Sequence, residues 1–249
     1  MTAVAGCALV TGASRGLGAV IATALAATGM PVAVNYRSSG EAADRVVARI
    51  TAAGGTARAF PADVTDEASV TGLVADVETA LGPIGVLVLN ATGAQPQHPV
   101  RQLTWPVVSA QLDFFLRSPV LLTTAVVPGM TAGGVGRIIH VGSDVVDKTP
   151  VGSAAYVTAK TAQLGFARMC AKELGPVGIT VNTVSPGWVP VERHGEVSPE
   201  AREAYLTRVP VKRLGRPEDI AAGVVHLASV EASYVNGANL HINGGSTVA

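Results

Sequence analysis

The stretch Thr11-Gly-Ala-Ser-Arg-Gly-Leu-Gly18 follows a short apolar run, residues 5–10, and opens an alanine-rich stretch, residues 17–28. The run has the length and composition of a buried strand, and the stretch that of a helix. Gly12, Gly16 and Gly18 therefore sit at a strand-to-helix turn, in the spacing G-x-x-x-G-x-G. Glycines without Cβ let backbone approach a ligand closely, and a helix N-terminus offers free amide hydrogens and partial positive charge, a combination suited to a pyrophosphate. A plain strand–helix turn is the alternative for such a cluster taken alone.

The same alternation continues along the chain. Residues 31–35, 57–61, 86–90, 137–141 and 179–184 read as apolar strands, with a shorter candidate at 240–242. Residues 41–53, 67–81, roughly 105–131, 154–174 and 218–229 read as helices. Alternating β and α with apolar strands predicts a parallel sheet covered on both faces. Right-handed crossovers then give an α/β doubly wound, Rossmann-type sheet. No linker or repeat divides the chain, so residues 1–249 are expected to form one domain. The stretch 186–210 carries Pro186, Pro190 and Pro199, mixed charge and no strand pattern, with helix expected near 200–207. Segments of this kind serve as lids or binding loops, the alternative being a plain surface loop.

Composition narrows the function classes. The chain is 48% hydrophobic and 14% charged, so aliphatic residues build the interior and part of the surface is expected to be covered in a homo-oligomer, a dimer or tetramer. Lys plus Arg equals Asp plus Glu at 18 each, which leaves no basic excess for a nucleic-acid track. Cys7 and Cys170 make neither a disulfide framework nor a metal spacing, and no metal is expected. The glycine turn begins at residue 11, no uninterrupted apolar run spans a bilayer, and a soluble cytoplasmic protein without a membrane partner is expected.

Charge near the turn bears on the cofactor. A dinucleotide site with a free ribose 2′-hydroxyl usually carries an acid about twenty residues on. Here the second strand ends Asn35-Tyr36-Arg37-Ser38, with no acid. Arg15 within the turn and Arg37, with Ser38 beside it, suit a 2′-phosphate, which favours NADP(H) over NAD(H). Two solvated surface arginines are the alternative. Asp63, at the end of the third strand, is a candidate acceptor from an adenine amino group. Asn90 ends the fourth strand near the expected switch point. An ordinary helix or turn cap is the bland reading of each.

Tyr156 and Lys160 lie four apart on an expected helix and so share one face. A free phenol titrates near about 10, and a neighbouring ammonium favours the phenolate, which brings Tyr156 toward general acid–base work. Ser143 ends the fifth strand, at the carboxyl edge where open sheets bind ligands. A lone Y-x-x-x-K is weak evidence, but Ser143 and the glycine turn give it context.

With these fragments together the chain resembles the short-chain dehydrogenase/reductase family, in particular its 3-oxoacyl-[acyl-carrier-protein] reductase-like members, over nearly its full length. The matching fragments are TGASRGLG at 11–18, Asp63-Val64, Asn90-Ala91, Ser143, YVTAK at 156–160, VNTVSPG at 181–187, RLGRPEDI at 213–220 and the terminal INGG at 242–245. The resemblance implies a Rossmann-type sheet of about seven strands. It assigns Tyr156 as general acid or base, Ser143 as the donor that orients a carbonyl, and Lys160 as the residue that holds the nicotinamide ribose. It implies cofactor contacts from Gly12, Ser14, Arg15, Gly16, Leu17, Gly18, Tyr36, Arg37, Ser38, Asp63, Val64, Asn90, Ala91, Pro186, Gly187 and Val189. Three departures stand out, the first being Leu89-Asn90-Ala91-Thr92-Gly93 where members often have Asn-Asn-Ala-Gly. Phe115 falls near the place of an Asn that supports a water-linked proton relay to the lysine, and Val191 replaces a Thr that binds the carboxamide.

The substrate wall is expected from Gln95, Asp144, Val145, Trp188, His194 and Tyr205, with no chemistry assigned to His194. The leading reading is NADPH-dependent reduction of a ketone, with 3-oxoacyl thioesters as one substrate class. An NAD(P)-dependent alcohol or sugar dehydrogenase is the runner-up. A sensor or scaffold that binds NADP(H) without turnover is the reading from a different class.

Overall fold

Seven apolar strands pair in parallel to form the centre of the molecule, in the order β3-β2-β1-β4-β5-β6-β7. The structure is a computed structural model and describes residues 2–192 and 198–248. The strands are β1 Cys7–Val10, β2 Val32–Tyr36, β3 Ala57–Pro61, β4 Ile84–Leu89, β5 Gly136–Val141, β6 Ile179–Pro186 and β7 Asn239–Ile242. The helices are α1 Gly16–Ala26, α2 Gly40–Ala52, α3 Glu67–Leu81, α4 Trp105–Leu112, α5 Ser118–Gly133, a short α6 Val145–Lys148, α7 Ala154–Leu174, α8 Pro199–Leu206 and α9 Pro217–Leu227.

Alternate residues of each central strand enter two separate cores. Val10, Val34, Val88, Ile139 and Val184 face α1 and α9. Leu9, Leu87, Ile138 and Val181 face the other way, toward α3, α5 and α7. Burial on both faces is why these strands read as continuous apolar runs rather than alternating ones. The chain reverses between β1 and β4, and this switch point opens a crevice at the carboxyl edge of the sheet.

The expected strands and helices are all present, with ends displaced by a residue or two. One expectation changes in kind. The single helix expected near 105–131 is divided by a π turn, Asp113–Arg117, between α4 and α5. Pro119 explains the break: it has no amide hydrogen to return to the preceding turn, so the α-helical ladder cannot run through. The combined run Trp105–Gly133 is long and apolar enough to cross a bilayer by length and composition alone. Asp113 and Arg117 interrupt it, and it packs on α3, α7 and the sheet as a helix of this fold.

The motif at 213–220 is local scaffolding. The Arg213 guanidinium grips the Asp219 carboxylate at 2.5 and 2.9 Å, and Asp219 accepts from the Arg216 amide at 2.8 Å. The grip caps the start of α9 and holds the Asp219 carboxyl below its usual range, the Arg213 hydrogen bond being the main cause.

Candidate active site

The glycine turn is held open by its neighbours. Gly12 has φ 61°, and a Cβ there would come within 2.9 Å of the Ala91 Cα. A Cβ on Gly18 would fall 2.5 Å from both the Asn90 amide nitrogen and the Gly12 carbonyl. Only glycine fits either place. The Thr11 hydroxyl accepts from the Asn90 and Ala91 amides at 2.9 and 3.0 Å, which locks β1 to β4 at the switch point. The Asn90 side chain donates to the Thr11 carbonyl at 2.8 Å and to the Gly12 carbonyl at 3.2 Å. Asn90 and Ala91 thus shape the turn. Ser14, Gly16 and Leu17 are partly exposed along it, and Arg15 reaches solvent. The first amides of α1 have no acceptor within the helix, and no acid lies in its first turn. These groups fit a pyrophosphate.

Sequence reading missed Asn35. This buried side chain receives the Gly12 amide at 3.3 Å and donates to the Phe60 and Ala62 carbonyls at 3.3 Å each. It ties β2 and β3 to the turn. A polar residue closing an apolar strand was the available signal.

At the far end of the crevice Arg37 and Ser38 are exposed and Tyr36 is half-buried. Arg37 lies 3.6 Å from the Asp63 carboxylate. Asp63 accepts from the Thr65 hydroxyl at 2.7 Å and from the Thr65 amide at 2.9 Å. The hydroxyl bond is the chief reason its carboxyl lies below the usual range, and Arg37 adds to it. Asp63 is thus a turn cap that also faces Arg37. Val64 is buried beside it.

Ser143 follows β5, and its hydroxyl accepts from the Val145 amide at 3.3 Å. Lys160 is only 5% exposed. Its ammonium donates to the Val141 carbonyl at 2.7 Å and to the Gln163 amide oxygen at 3.0 Å. The ring of Tyr156 lies 5.9 Å from this ammonium and that of Phe115 lies 4.0 Å from it. The π turn turns Phe115 inward, where its ring meets Tyr156 edge-on at 5.3 Å. A strand end thus presents a hydroxyl, a helix one turn away presents a phenol, and a buried ammonium is anchored to both elements.

Behind this group lies His140, fully buried on β5 with its ring against Phe166. Neither of its ring nitrogens has a hydrogen-bond partner among the described residues. Burial, helped by the Lys160 charge, pushes its pKa down to about 3, so the ring is neutral. Gln163 and His140 were both missed in the sequence, since a polar residue within a core-facing helix or strand has no motif to announce it.

The backbone after β6 is tied down by several contacts. Pro186 closes β6, and the Gly187 amide donates to the Ile242 carbonyl at 3.1 Å. Val189 is buried. The Tyr205 hydroxyl of α8 accepts from the Trp188 amide at 2.8 Å, and the two rings meet edge-on at 5.2 Å. Tyr205 therefore fastens α8 to the backbone after β6. Asp144 is turned inward, its carboxylate paired with Lys148 at 2.5 Å and with the Ser246 hydroxyl at 2.8 Å. Lys148 lies over the Tyr205 ring at 5.3 Å, an element absent from the sequence reading. Val145 and Gln95 are half-buried, the Gln95 amide bonded to the Thr92 hydroxyl at 3.2 Å. Val191 packs over Gly16. His194 lies outside the described residues.

Known proteins resemble this chain in sequence and fold. A family described as enoyl-(acyl carrier protein) reductase matches residues 12–247. The chain is 38% identical to the 3-oxoacyl-[acyl-carrier-protein] reductase FabG of Staphylococcus aureus, over 96% of each protein. It is also 38% identical to nodulation protein G of Azospirillum brasilense, again over 96% of each. Among solved structures, a 7α-hydroxysteroid dehydrogenase complexed with NADH and 7-oxo glycochenodeoxycholic acid superposes with TM-score 0.93 at 30% identity, covering 98% of this chain and 95% of that one. A Serratia marcescens short-chain dehydrogenase/reductase superposes with TM-score 0.92 at 34% identity, over 100% of both. The parallel sheet, the glycine turn at its switch point and these likenesses together place the chain in the short-chain dehydrogenase/reductase family, as an NAD(P)-dependent oxidoreductase.

Proposed function

We propose that the protein reduces a ketone to a secondary alcohol with NADPH, and that 3-oxoacyl thioesters are among its substrates. The observation that carries the reading is the buried Lys160 ammonium, hydrogen-bonded to the end of the strand leading to Ser143 and lying beside Tyr156 on its own helix. Burying an ammonium is costly, and sites of that kind are kept where the charge does chemistry.

Gly12, Gly16 and Gly18 with the start of α1 would hold the cofactor pyrophosphate. Arg15, Arg37 and Ser38 would hold the 2′-phosphate. Lys160 would hold the nicotinamide ribose, and backbone at Pro186, Gly187 and Val189 would border the ring. When bound, the nicotinamide supplies the hydride. The Ser143 hydroxyl orients the substrate carbonyl by donating to its oxygen. Tyr156 gives its phenolic proton to the oxygen as negative charge develops there. The Lys160 charge stabilises the phenolate left behind. Dehydrogenation is the same path reversed.

Name and fold support the substrate class without fixing it: the Staphylococcus relative is named for a 3-oxoacyl carrier-protein substrate, whereas the hydroxysteroid enzyme was solved with a 7-oxo bile acid. Exposed Trp105 and Met169 support an oligomer, which light scattering tests. The function is tested by following NADPH and NADH oxidation over a panel of ketones, sugars and 3-oxoacyl thioesters. Turnover of a 3-oxoacyl thioester with NADPH preferred supports the reading. Tight cofactor binding with no turnover across the panel contradicts it.

A further inference from the structure

Gln163 stands one helical turn beyond Lys160 on α7 and is only 2% exposed. A glutamine buried among alanines, here Ala159 and Ala167, gives up hydration that a Leu would not need. Its amide oxygen recovers the loss by accepting from the Lys160 ammonium at 3.0 Å. The second acceptor of that ammonium is the Val141 carbonyl, fixed in the sheet, and the Phe115 ring closes another side at 4.0 Å. Phe115 offers a ring face where an amide could have accepted. Gln163 is thus a side chain whose reach bears on where the charge sits relative to Tyr156. It also borders a narrow crevice shared with Thr11 and Ser118.

We propose that Gln163 is a positioning residue for the reaction: its amide oxygen holds the Lys160 ammonium at the station from which that charge acts on Tyr156. This rests on the function proposed above. Titratable groups that face the ammonium among the described residues include Tyr156 on α7 and His140 on β5. His140 stays neutral at working pH, so it adds no limb to a profile near neutrality.

The test compares wild type, Gln163→Leu and Gln163→Glu. In the reductive direction Tyr156 must keep its proton, so activity falls where the phenol ionises. Moving the ammonium disfavours the phenolate and carries that limb to higher pH. Gln163→Leu is expected to lower kcat at least about tenfold with KM for the carbonyl nearly unchanged, and to shift the alkaline limb up by about one pH unit. Gln163→Glu keeps an acceptor for the ammonium and is expected to recover kcat at neutral pH to within about threefold of wild type. A Leu variant with wild-type kcat and limb overturns the proposal. So does a Leu variant that loses kcat and stability together with the limb unmoved. If wild type reduces no carbonyl tested, the function reading fails separately. The Gln163 assignment is then read from the ultraviolet phenolate signal of Tyr156, taken as the difference from matched Tyr156→Phe proteins. A rise in its ionisation pH in Gln163→Leu upholds the assignment, and no change overturns it.

Discussion

The Lys160 ammonium lies 4.0 Å from the centre of the Phe115 ring, in the same pocket where that ring meets Tyr156 edge-on. A buried ammonium over an aromatic face gains roughly 2 kcal/mol. Phe115 therefore stabilises the charge beside the phenol ring.

Phe115→Leu should remove the ring face while keeping most of the volume. Turnover is expected to fall roughly five- to thirtyfold, with a stability loss of about 1 kcal/mol. Phe115→Ala should cost about 3–5 kcal/mol of stability. Thermal unfolding and steady-state kinetics of the two variants check both statements.

The proposed preference for NADPH is expected to rest on Arg37, whose charge is partly offset by Asp63. Arg37→Asp should weaken NADPH binding by tenfold or more and leave NADH binding within about threefold. Fluorescence titration with each cofactor measures this. Equal losses for both cofactors contradict the assignment.

His140 gives the fold an acid-sensitive element. Its folded pKa, about 3, lies below the ordinary value of 6.5. Between those values the unfolded chain takes up a proton that the folded chain refuses, so stability falls as pH drops through this window. The slope it adds is at most about 1.4 kcal/mol per pH unit. His140→Leu should flatten the stability profile between pH 6 and 4, which urea unfolding at several pH values checks. An unchanged slope shows that other groups set it.

Gly12→Ala places a methyl group 2.9 Å from the Ala91 Cα at a backbone φ of 61°. It should cost about 2 kcal/mol or more and abolish measurable cofactor binding. Calorimetry of the folded variant with NADPH checks this.

Much of the architecture was legible in the sequence because strands buried on both faces leave continuous apolar runs, and glycine turns leave fixed spacings. Helix α7 and strand β3 came out at their observed ends. The division of residues 105–133 was not legible: Pro119 and Pro128 both lie in an apolar stretch, and composition alone does not say which one breaks the ladder. Ser143, Tyr156 and Lys160 stand out in the sequence through their spacing. The residues that hold Lys160 were not, because Gln163 and the Val141 carbonyl act through placement in the fold. Asp63 and Tyr205 show the same limit, since their polar atoms serve the turn at Thr65 and the backbone at Trp188.

The central claim is that Tyr156 supplies the proton for carbonyl reduction. The most direct measurement is a single turnover of bound NADPH with an acetoacetyl thioester, comparing wild type with Tyr156→Phe. A loss of about 100- to 10,000-fold in the rate of NADPH oxidation, with NADPH affinity within about threefold, is the predicted result. A Tyr156→Phe protein that oxidises NADPH at the wild-type rate would contradict the account.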